Sequence, residues 1–479
     1  MMQRLNDKLA EKWGNVGSQF LPFADAATAE LPMPRLLRLS LFQVSVAMAV
    51  VLLNGTLNRV MIVEMGMPSA LVALMISLPL LFAPLRALIG FRSDTHKSAI
   101  GWRRVPYIFY GTMLQFGGLA IMPFALIVLS GDTTGPAWVG NMGAALAFLL
   151  VGAGLHMTQT AGLALATDIA PEHARPRVVA FLYVMLLIGM VLSSIAFGAL
   201  LADFSQFRLI QVIQGAAALT MVLNTIALWK QEARNPALTN HDRPAPDFLD
   251  AWLAFKRSDR NAVRAIVAVA LGTAAFSMQD ILLEPYGGEI LHLGVGATTA
   301  LTGILAAGTL VGFIVAARQL GRGTDAYRLA GYGAVAGLLA FPLVMFSAQA
   351  ESAALFRTGT LLIGFGGGLF AVGTLTAAMN MTRNDQSGLA LGTWGAAQAT
   401  AAGLAIAAGG AIRDGVGALA ANNSLGPALT GPATGYNAVY NLEIILLLAT
   451  LIAVGPLVRP ARPVSLQSHE KLGLAEFPG

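Results

Sequence analysis

Long apolar stretches alternate with short polar ones along most of this chain. A helix of roughly 20 apolar residues, with a rise of about 1.5 Å per residue, crosses the hydrocarbon core of a membrane. Twelve stretches are long enough, so the pattern predicts an all-α membrane protein. The predicted helices are 37–63, 68–88, 106–129, 138–167, 177–201, 209–228, 263–283, 297–317, 327–346, 355–379, 387–408 and 440–458.

Polar segments divide these helices into two halves. Residues 37–228 form the N-terminal six-helix half and 262–458 the C-terminal six-helix half, and the polar segment 229–261 is a cytoplasmic central loop. Residues 1–36 carry apolar positions at spacings of three and four beside basic residues. That pattern is typical of an amphipathic helix on the membrane surface, and the alternative is a disordered tail. Residues 459–479 are predicted to be a cytoplasmic tail.

The composition agrees with a membrane protein. Hydrophobic residues make up 56% of the chain and charged residues 11%, whereas soluble proteins carry about 25% charged residues. The chain has no cysteine, which excludes disulfides and thiol chemistry. We attribute the net charge of +5 to basic loops and predict no nucleic-acid partner. The sequence shows no phosphate-binding loop, catalytic triad or metal-spaced histidine cluster, so we expect no enzyme.

The short loop between the second and third predicted helices sets the orientation. Residues 90–108 carry four lysines and arginines against the single acid Asp94, and such loops stay on the cytoplasmic side. With this loop inside, 26 of the 30 lysines and arginines are cytoplasmic. Both termini are then cytoplasmic, and 411–439 is a long outer loop. The first long apolar run begins near Leu37, so we expect no cleavable signal peptide.

We single out three charged residues near the outer ends of the first and seventh predicted helices. Arg59 lies near the outer end of the first helix, and Asp280 and Glu284, four residues apart, share one face of the seventh. Intramembrane charges are costly and are usually paired or turned toward a cavity. We predict that Arg59 pairs with Asp280 or Glu284 as a lock between the halves. The alternatives are separate interface charges and a role in substrate or ion coupling.

His156 and Gln159 are the candidate ligand contacts within the fourth predicted helix. An imidazole there can ligate a metal, including the magnesium of a chlorin, or it can donate a hydrogen bond to a neighbouring helix. A lone buried histidine more often serves packing, and glutamines in spans are first of all interhelical hydrogen-bonding groups. The sequence leaves both interpretations of His156 open, and it contains no direct metal site.

Small and amide residues inside the spans predict close helix packing. Gly308-x3-Gly312 and Gly364-x3-Gly368 place pairs of glycines on one helix face, where backbones can approach. We expect these faces to lie inside the bundle and not at an oligomer contact. Gln115 is expected to form an interhelical hydrogen bond.

The two halves resemble each other in sequence. Residues 58–64 end the first helix as NRVMIVE, and 279–284 end the seventh as QDILLE. The spacing Gly-x3-Asp at 90–94 recurs at 321–325, in the matching loop. Echoes in the same order indicate an internal repeat related by an axis along the membrane normal.

The loop between the second and third helices resembles a known signature. Gly90, Asp94, Gly101, Arg103 and Arg104 resemble the glycine, aspartate and Gly-Arg-Arg cluster that joins these helices in the major facilitator superfamily. The resemblance implies a twelve-helix fold made of two pseudo-symmetric six-helix halves.

Longer segments are similar to one branch of that superfamily, the PucC/LhaA or bacteriochlorophyll-delivery group. The similarity covers residues 37–458 and includes 57–64, 92–96, 101–108, 115–118, 122–126, 155–168 and 279–288. It implies a multi-pass protein of the bacterial inner, intracytoplasmic membrane.

The resemblance also implies a function, which is assembly of photosynthetic light-harvesting complexes. The expected cofactor is bacteriochlorophyll, held transiently and handed to nascent antenna α/β polypeptides, and His156 and Gln159 are its candidate pigment contacts. Further expected partners are the reaction centre, pigment-synthesis enzymes and membrane lipids. We favour the core antenna over the peripheral antenna as client. The alternative function is secondary active transport of a small solute.

Overall fold

The computed structural model describes residues 26–28, 31–81, 102–130, 136–171, 174–232, 262–380 and 387–458. The predicted amphipathic segment before residue 26, most of the central loop and the tail lie outside the described residues. So do Gly90, Asp94 and Gly101 of the predicted loop motif.

Six helices precede the central loop. The first, α1, is continuous over Met33–Glu64, but its second part contains two wider π-helical stretches, Val51–Leu57 and Val60–Glu64. The others are α2 (Ser69–Leu81), α3 (Val105–Leu129), α4 (Ala137–Ile169), α5 (Arg175–Leu200) and α6 (Gln206–Leu228).

Six more helices follow the central loop. In α7, a helix over Ala262–Ser277 gives way to a 3₁₀ turn, Met278–Ile281, and resumes over Leu283–Glu289. The others are α8 (Val295–Gly321), α9 (Ala326–Gln349), α10 (Ala353–Asn380), α11 (Ser387–Ala421) and α12 (Thr434–Val454). Eleven of the twelve helices are long and apolar enough to cross a membrane, and the described part of α2 is a shorter apolar helix.

One predicted connection is wrong. The outer loop expected over 411–439 is mostly helical, because α11 continues to Ala421 and α12 already begins at Thr434. The charges of Arg413 and Asp414 interrupt the apolar pattern there, but they pair with each other inside the helix (Nη1–Oδ1 2.9 Å). The last turn of α11, residues 418–421, consists of three alanines and a leucine, which favour helix.

The two halves repeat one packing scheme. In the first half α3 packs on α4, and α1 packs on α5 and α6; in the second half α9 packs on α10, and α7 packs on α11 and α12. Between the halves, α2 packs on α11 and α5 packs on α8. Helix α2 of the first half corresponds to α8 of the second, and α5 corresponds to α11, so the repeat relates these two contacts to each other. This is the pseudo-symmetry expected of an internal repeat.

Glycines set the closest helix contacts within the halves, as the Gly-x3-Gly spacings predicted. A Cβ added at Gly308 would lie 2.1 Å from the carbonyl oxygen of Leu361, and one added at Gly364 would lie 2.0 Å from that of Leu305. Helices α8 and α10 therefore touch backbone to backbone. The prediction that these faces are internal is confirmed.

The halves meet closely at one end of the bundle, which we term the closed end. It contains the connections 65–68, 201–205, 290–294 and 422–433. A Cβ at Gly296 in α8 would lie 2.3 Å from the carbonyl oxygen of Gly198 in α5. On the other side of the bundle, the backbone N–H of Ala70 in α2 donates to Asp414 Oδ2 in α11 over 2.7 Å. The two symmetry-related helix pairs thus both contribute to closure.

Candidate functional site

The break in α7 is built around a carboxylate from another helix. A 3₁₀ turn cannot keep the α-helical hydrogen-bond pattern, so it leaves backbone groups to be satisfied elsewhere. The backbone N–H of Gln279 donates to Glu443 Oε1 of α12 over 2.7 Å, and Glu443 is fully buried. The side-chain Nε2 of Gln279 donates to Asp280 Oδ1 over 2.6 Å. Two acids therefore accept hydrogen bonds from the same residue of the break.

Glu284, one turn further along α7, joins this site to the contact between the halves. It is buried, with 4% of its surface exposed, and its Oε1 accepts a hydrogen bond from Thr302 Oγ1 of α8 over 2.8 Å. From α1, Asn58 Nδ2 donates to the backbone oxygen of Ile281 over 3.3 Å. Helices from both halves therefore converge on the break.

The structure does not bring Arg59 into an ion pair with Asp280 or Glu284. Its Nη1 forms an ion pair with Glu64 of the same helix, and its Nη2 donates to the backbone oxygen of Leu293 over 3.2 Å. Arg59 still contacts the second half, because a Cβ at Gly288 would lie 3.0 Å from its Nε. The lock between the halves thus uses a backbone oxygen and packing, not a carboxylate of α7.

The π-helical geometry of α1 explains this difference. Arg59 and Glu64 are five residues apart, a spacing that points away from a common face in an α-helix. Residues 60–64 form a π turn, whose hydrogen bonds span five residues, and this spacing aligns the two side chains. The sequence-based prediction assumed α-helical spacing and therefore did not consider Glu64 as a partner.

Glu443 is a residue that the sequence analysis missed. It is 0% exposed and lies among apolar residues of α12. An acid inside an apolar span is the same signal that identified Asp280 and Glu284, and applying it to every span would have found Glu443.

A second polar network holds the closed end of α11. Arg413 forms ion pairs with Glu289 of α7 and with Asp414, and its Nη2 donates to Tyr436 Oη of α12 over 3.1 Å. Tyr436 Oη in turn donates to Glu289 Oε2 over 2.8 Å. The guanidinium carbon lies 4.7 Å from the centre of the Tyr436 ring, within range of a cation–π interaction. Three helices of the second half are tied together here.

The described part of the basic loop motif is held at the opposite end. Arg103 Nη2 and Arg104 Nε donate to Asp168 Oδ2 at the end of α4, over 2.7 and 2.9 Å. The carboxylate of Glu232, which follows α6, accepts hydrogen bonds from the backbone N–H groups of Arg103, Arg104 and Val105 over 2.7–3.1 Å. A negative charge at a helix N-terminus is favourable, so Glu232 caps α3.

A cavity of about 610 Å³ lies beside this cap, between the start of α1, the start of α3 and the end of α6. Aromatic walls come from Trp102, Phe109 and Trp229. Phe109 and Trp229 are largely exposed, so the cavity opens to the outer surface of the bundle. We call it the interface groove. Its remaining lining residues are Arg35, Val105, Thr112, Met221, Asn224, Thr225, Leu228, Lys230, Gln231 and Glu232.

The interface groove has a fixed polar floor and rim. On the floor, Asn224 Nδ2 donates to Thr112 Oγ1 over 2.8 Å, and Ser45 Oγ donates to Asn224 Oδ1 over 2.7 Å. At the rim, Arg35 Nε and Nη2 donate to the side-chain and backbone oxygens of Gln231 over 3.1 and 2.9 Å. The bonds join α1 and α3 to α6 or to the segment that directly follows it, so they hold the groove in shape.

His156 and Gln159 lie in α4 and do not line the interface groove. His156 is 8% exposed, and Gln159 is half-buried. On the neighbouring turn, Gln115 Nε2 of α3 donates to Thr158 Oγ1 of α4 over 2.9 Å, which confirms the interhelical hydrogen bond predicted for Gln115. Among the described residues, no group of three or more histidines and acids could hold a metal ion.

Solved transporters share this architecture and define the class of fold. A bacterial homologue of the human lysosomal transporter Spinster, in an inward-facing and occupied conformation, aligns with a TM-score of 0.65 at 12% identity, over 88% of this chain and 95% of that one. The nucleoside transporter NupG aligns with a TM-score of 0.62 at 14% identity, over 88% and 99%. The protein therefore has the twelve-helix major facilitator fold.

Sequence comparison then gives the family. The chain belongs to the PUCC protein family, whose model matches residues 56–462. Protein PucC of Rhodovulum sulfidophilum is 57% identical over 421 residues, 87% of this chain and 92% of that protein. An uncharacterized protein in the puhA-bchM intergenic region of Rhodobacter capsulatus is 55% identical over 471 residues, 97% and 98% of the two chains. The bacteriochlorophyll synthase 44.5 kDa chain of Rhodobacter capsulatus is 28% identical over 376 residues, 77% and 85%.

Proposed function

We propose that this protein is an assembly factor for a photosynthetic light-harvesting complex of purple bacteria. In this role it binds bacteriochlorophyll and hands it to nascent antenna α/β polypeptides, with the core antenna as the favoured client. It acts from the intracytoplasmic membrane, with both termini cytoplasmic and without catalysing a reaction. Membership of the PUCC protein family over most of the chain carries this proposal. The name of one relative, a bacteriochlorophyll synthase chain, supports a link to this pigment.

The interface groove is the proposed pigment site. Its volume of about 610 Å³ falls in the range of roughly 300–1,000 Å³ that is usual for small-molecule sites. The rings of Trp102, Phe109 and Trp229 offer flat apolar surfaces to a flat apolar macrocycle. Because the groove opens outward, a long hydrocarbon tail can stay among lipid chains. A sealed polar pocket would provide neither feature.

His156 is a weaker candidate than the groove. Its side chain is buried in α4 and is not part of the groove wall, so a pigment seated there would not reach its imidazole. Axial ligation by His156 would require a second site inside the first half. The two candidates make different predictions, and mutation can separate them.

Pigment that copurifies with the tagged protein tests the site. Trp229→Ala and Phe109→Ala should lower the bacteriochlorophyll absorbance per protein several-fold, and antenna content per cell should fall with it. Trp138→Ala is the matched control, since Trp138 is 66% exposed and Trp229 61%, but Trp138 lies on α4 away from the groove. Equal pigment in all three variants would reject the groove.

Two further variants test the histidine. If His156→Ala loses pigment while His156→Gln retains part of it, axial ligation is supported, because a glutamine oxygen can replace the imidazole as ligand. If both variants keep pigment and assemble antenna, His156 serves packing. Antenna subunits, reaction centre and pigment-synthesis enzymes in the same eluate would support the proposed partners.

Transport of a small solute is the second candidate function, and the fold favours it. The structural neighbours are transporters, and in this chain buried acids lie where the two halves meet. Uptake by purified protein in liposomes, driven by a proton or sodium gradient, distinguishes the two functions. Solute uptake without pigment binding would replace the assembly role.

A further inference from the structure

Three carboxyl groups surround the break in α7 without a basic partner. Within the described residues, Asp280, Glu284 and Glu443 accept hydrogen bonds but form no ion pair. The nearby guanidinium groups are engaged elsewhere: Arg59 with Glu64, and Arg413 with Glu289 and Asp414. The acids of this site thus have no basic partner, whereas Glu64, Glu289 and Asp414 at the closed end each form an ion pair.

The hydrogen bonds of Glu284 and Glu443 follow one pattern. In each side chain one oxygen accepts a hydrogen bond, from Thr302 Oγ1 or from the backbone N–H of Gln279. The other oxygen, Oε2, is buried and has no hydrogen-bond partner in the protein. The hydroxyl of Tyr440 and the Oε1 of Gln279 are likewise buried without a partner. A protonated carboxyl group has one accepting oxygen and one O–H, which fits this pattern.

Electrostatic energy favours the protonated form over a bare charge. An ionised carboxylate without a partner is costly in a membrane interior, and removing one partner of a buried ion pair is costly for the same reason. A bound sodium or calcium ion would need several oxygen ligands around it. Here the oxygens without a partner lie on two helices, α7 and α12. One oxygen of each glutamate already accepts a hydrogen bond.

We propose that the break in α7 is a proton-binding site, in which Glu284 and Glu443 hold protons while the two halves are in contact at the closed end. Glu284 lies against Thr302 of α8, at the contact with α1. Loss of its proton would leave a buried charge at the contact between the halves, so proton release and separation of the halves are coupled. This inference stands on the site alone and holds for either candidate function.

Other titratable and charged groups lie on the elements packed against the break. The described part of α2 carries none, and Arg318 of α8 lies at the far end of that helix. On α7 itself, Asp280 lies in the turn and Glu284 follows it, and the electrostatic repulsion between them disfavours double ionisation. Nearer the break are Arg59 and Glu64 of α1, Tyr286 and Glu289 of α7, Arg413 and Asp414 of α11, and Tyr436, Tyr440 and Glu443 of α12. Arg35 and Arg38 of α1 and Arg264 of α7 lie at the opposite ends of their helices.

Infrared spectroscopy of the purified full-length protein in nanodiscs tests the proposal. A protonated carboxylic acid has a carbonyl stretch separate from that of a carboxylate. We expect this band at neutral pH, and we expect Glu284→Gln and Glu443→Gln each to remove about half of its glutamate part if the two sites are independent. Glu64→Gln and Glu289→Gln, which alter ion-paired acids, are the matched controls and should leave the band unchanged.

Isotope labelling keeps the test informative if a variant fails to fold. Carbon-13 glutamate in the unmutated protein should shift the part of the band that comes from Glu284 and Glu443, and carbon-13 aspartate separates any part that comes from Asp280. The absence of a protonated band at neutral pH would overturn the proposal, as would a band that neither glutamine variant reduces. Thermal stabilisation that depends on sodium, in place of the band, would overturn it in favour of a metal cation.

Discussion

Replacing Gly55 with alanine tests the contact between the halves at a single atom. Gly55 lies in the first π-helical stretch of α1, facing α8. A Cβ at this position would lie 2.3 Å from Thr302 Oγ1 and 3.1 Å from Thr302 Cβ. Thr302 cannot turn away freely, because its hydroxyl donates to Glu284 over 2.8 Å. Either this hydrogen bond breaks or α1 withdraws from α8.

The expected cost follows from three contributions. Overpacking of a close contact costs about 1–3 kcal/mol, and loss of a buried hydrogen bond costs about 1 kcal/mol more. Alanine in place of glycine in a helix recovers about 1 kcal/mol. Gly55→Ala should therefore destabilise the protein by about 2 kcal/mol, in contrast to the gain that a helical alanine usually gives.

Retention of folded protein after heating, measured by size-exclusion chromatography in mild detergent, reports the effect. Gly117→Ala on α3 is the control, since nothing lies within 4 Å of a Cβ at that position. The control should match or exceed the parent, and Gly55→Ala should melt several degrees lower. Adding Thr302→Ala removes the clashing oxygen, so the double variant should lose less than the sum of the two single variants.

Two results would refute this reasoning. Gly55→Ala could melt together with the parent and the Gly117→Ala control, which would mean that the contact yields at no cost. The double variant could also show additive losses, which would mean that Gly55 and Thr302 do not interact.

Two further predictions concern the ends of the bundle. Glu232→Gln should remove the charge that caps α3, cost about 1 kcal/mol, and speed tryptic cleavage after Arg103, whereas unchanged cleavage would contradict the cap. A reporter at Gly479 should give a cytoplasmic signal, and one after Asn423, in the connection between α11 and α12, should give an outside signal. An outside signal from Gly479 would reverse the topology.

Spans and packing faces could be predicted because they depend on sequence properties that act locally. Apolar length decides whether a helix can cross a membrane, so most helix boundaries fall within a few residues of the predicted ones. Glycine pairs such as Gly308-x3-Gly312 mark backbone contact, because no other residue leaves the required space. Neither property depends on knowing which helices are neighbours.

The partners of charged residues could not be predicted in the same way. The ion pair of Arg59 with Glu64 needs a π turn, and α-helical spacing gives no indication of it. The continuation of α11 through Arg413 needs Glu289 and Tyr436, which come from other helices. The local pattern predicted a different partner for Arg59 and a helix end at Arg413. In both places the charge is instead compensated by a contact that the local pattern does not contain.

The repeat itself explains why the site lies where it does. Six positions separate Asn58 from Glu64 in α1, and five separate Gln279 from Glu284 in α7, so the first half carries one additional residue at matching places. A helix absorbs an inserted residue as a π turn, and α1 is π-helical there, while α7 tightens into a 3₁₀ turn. Both symmetry-related helices thus leave α-helical geometry at the same level.

The π-helical segment of α1 and the 3₁₀ turn of α7 face each other across the pseudo-symmetry axis. Asn58 of the widened helix donates to the backbone oxygen of Ile281 in the tightened one, and Glu284 accepts from α8 beside it. Regular helices would have satisfied their own backbone groups, so the backbone oxygen of Ile281 would not have bridged the halves. Because the irregular segments leave backbone groups free to bridge the halves, a change in the charge of the buried acids acts directly on the contact between the halves. An electrostatic change confined to a few atoms can therefore alter the relation of two six-helix units.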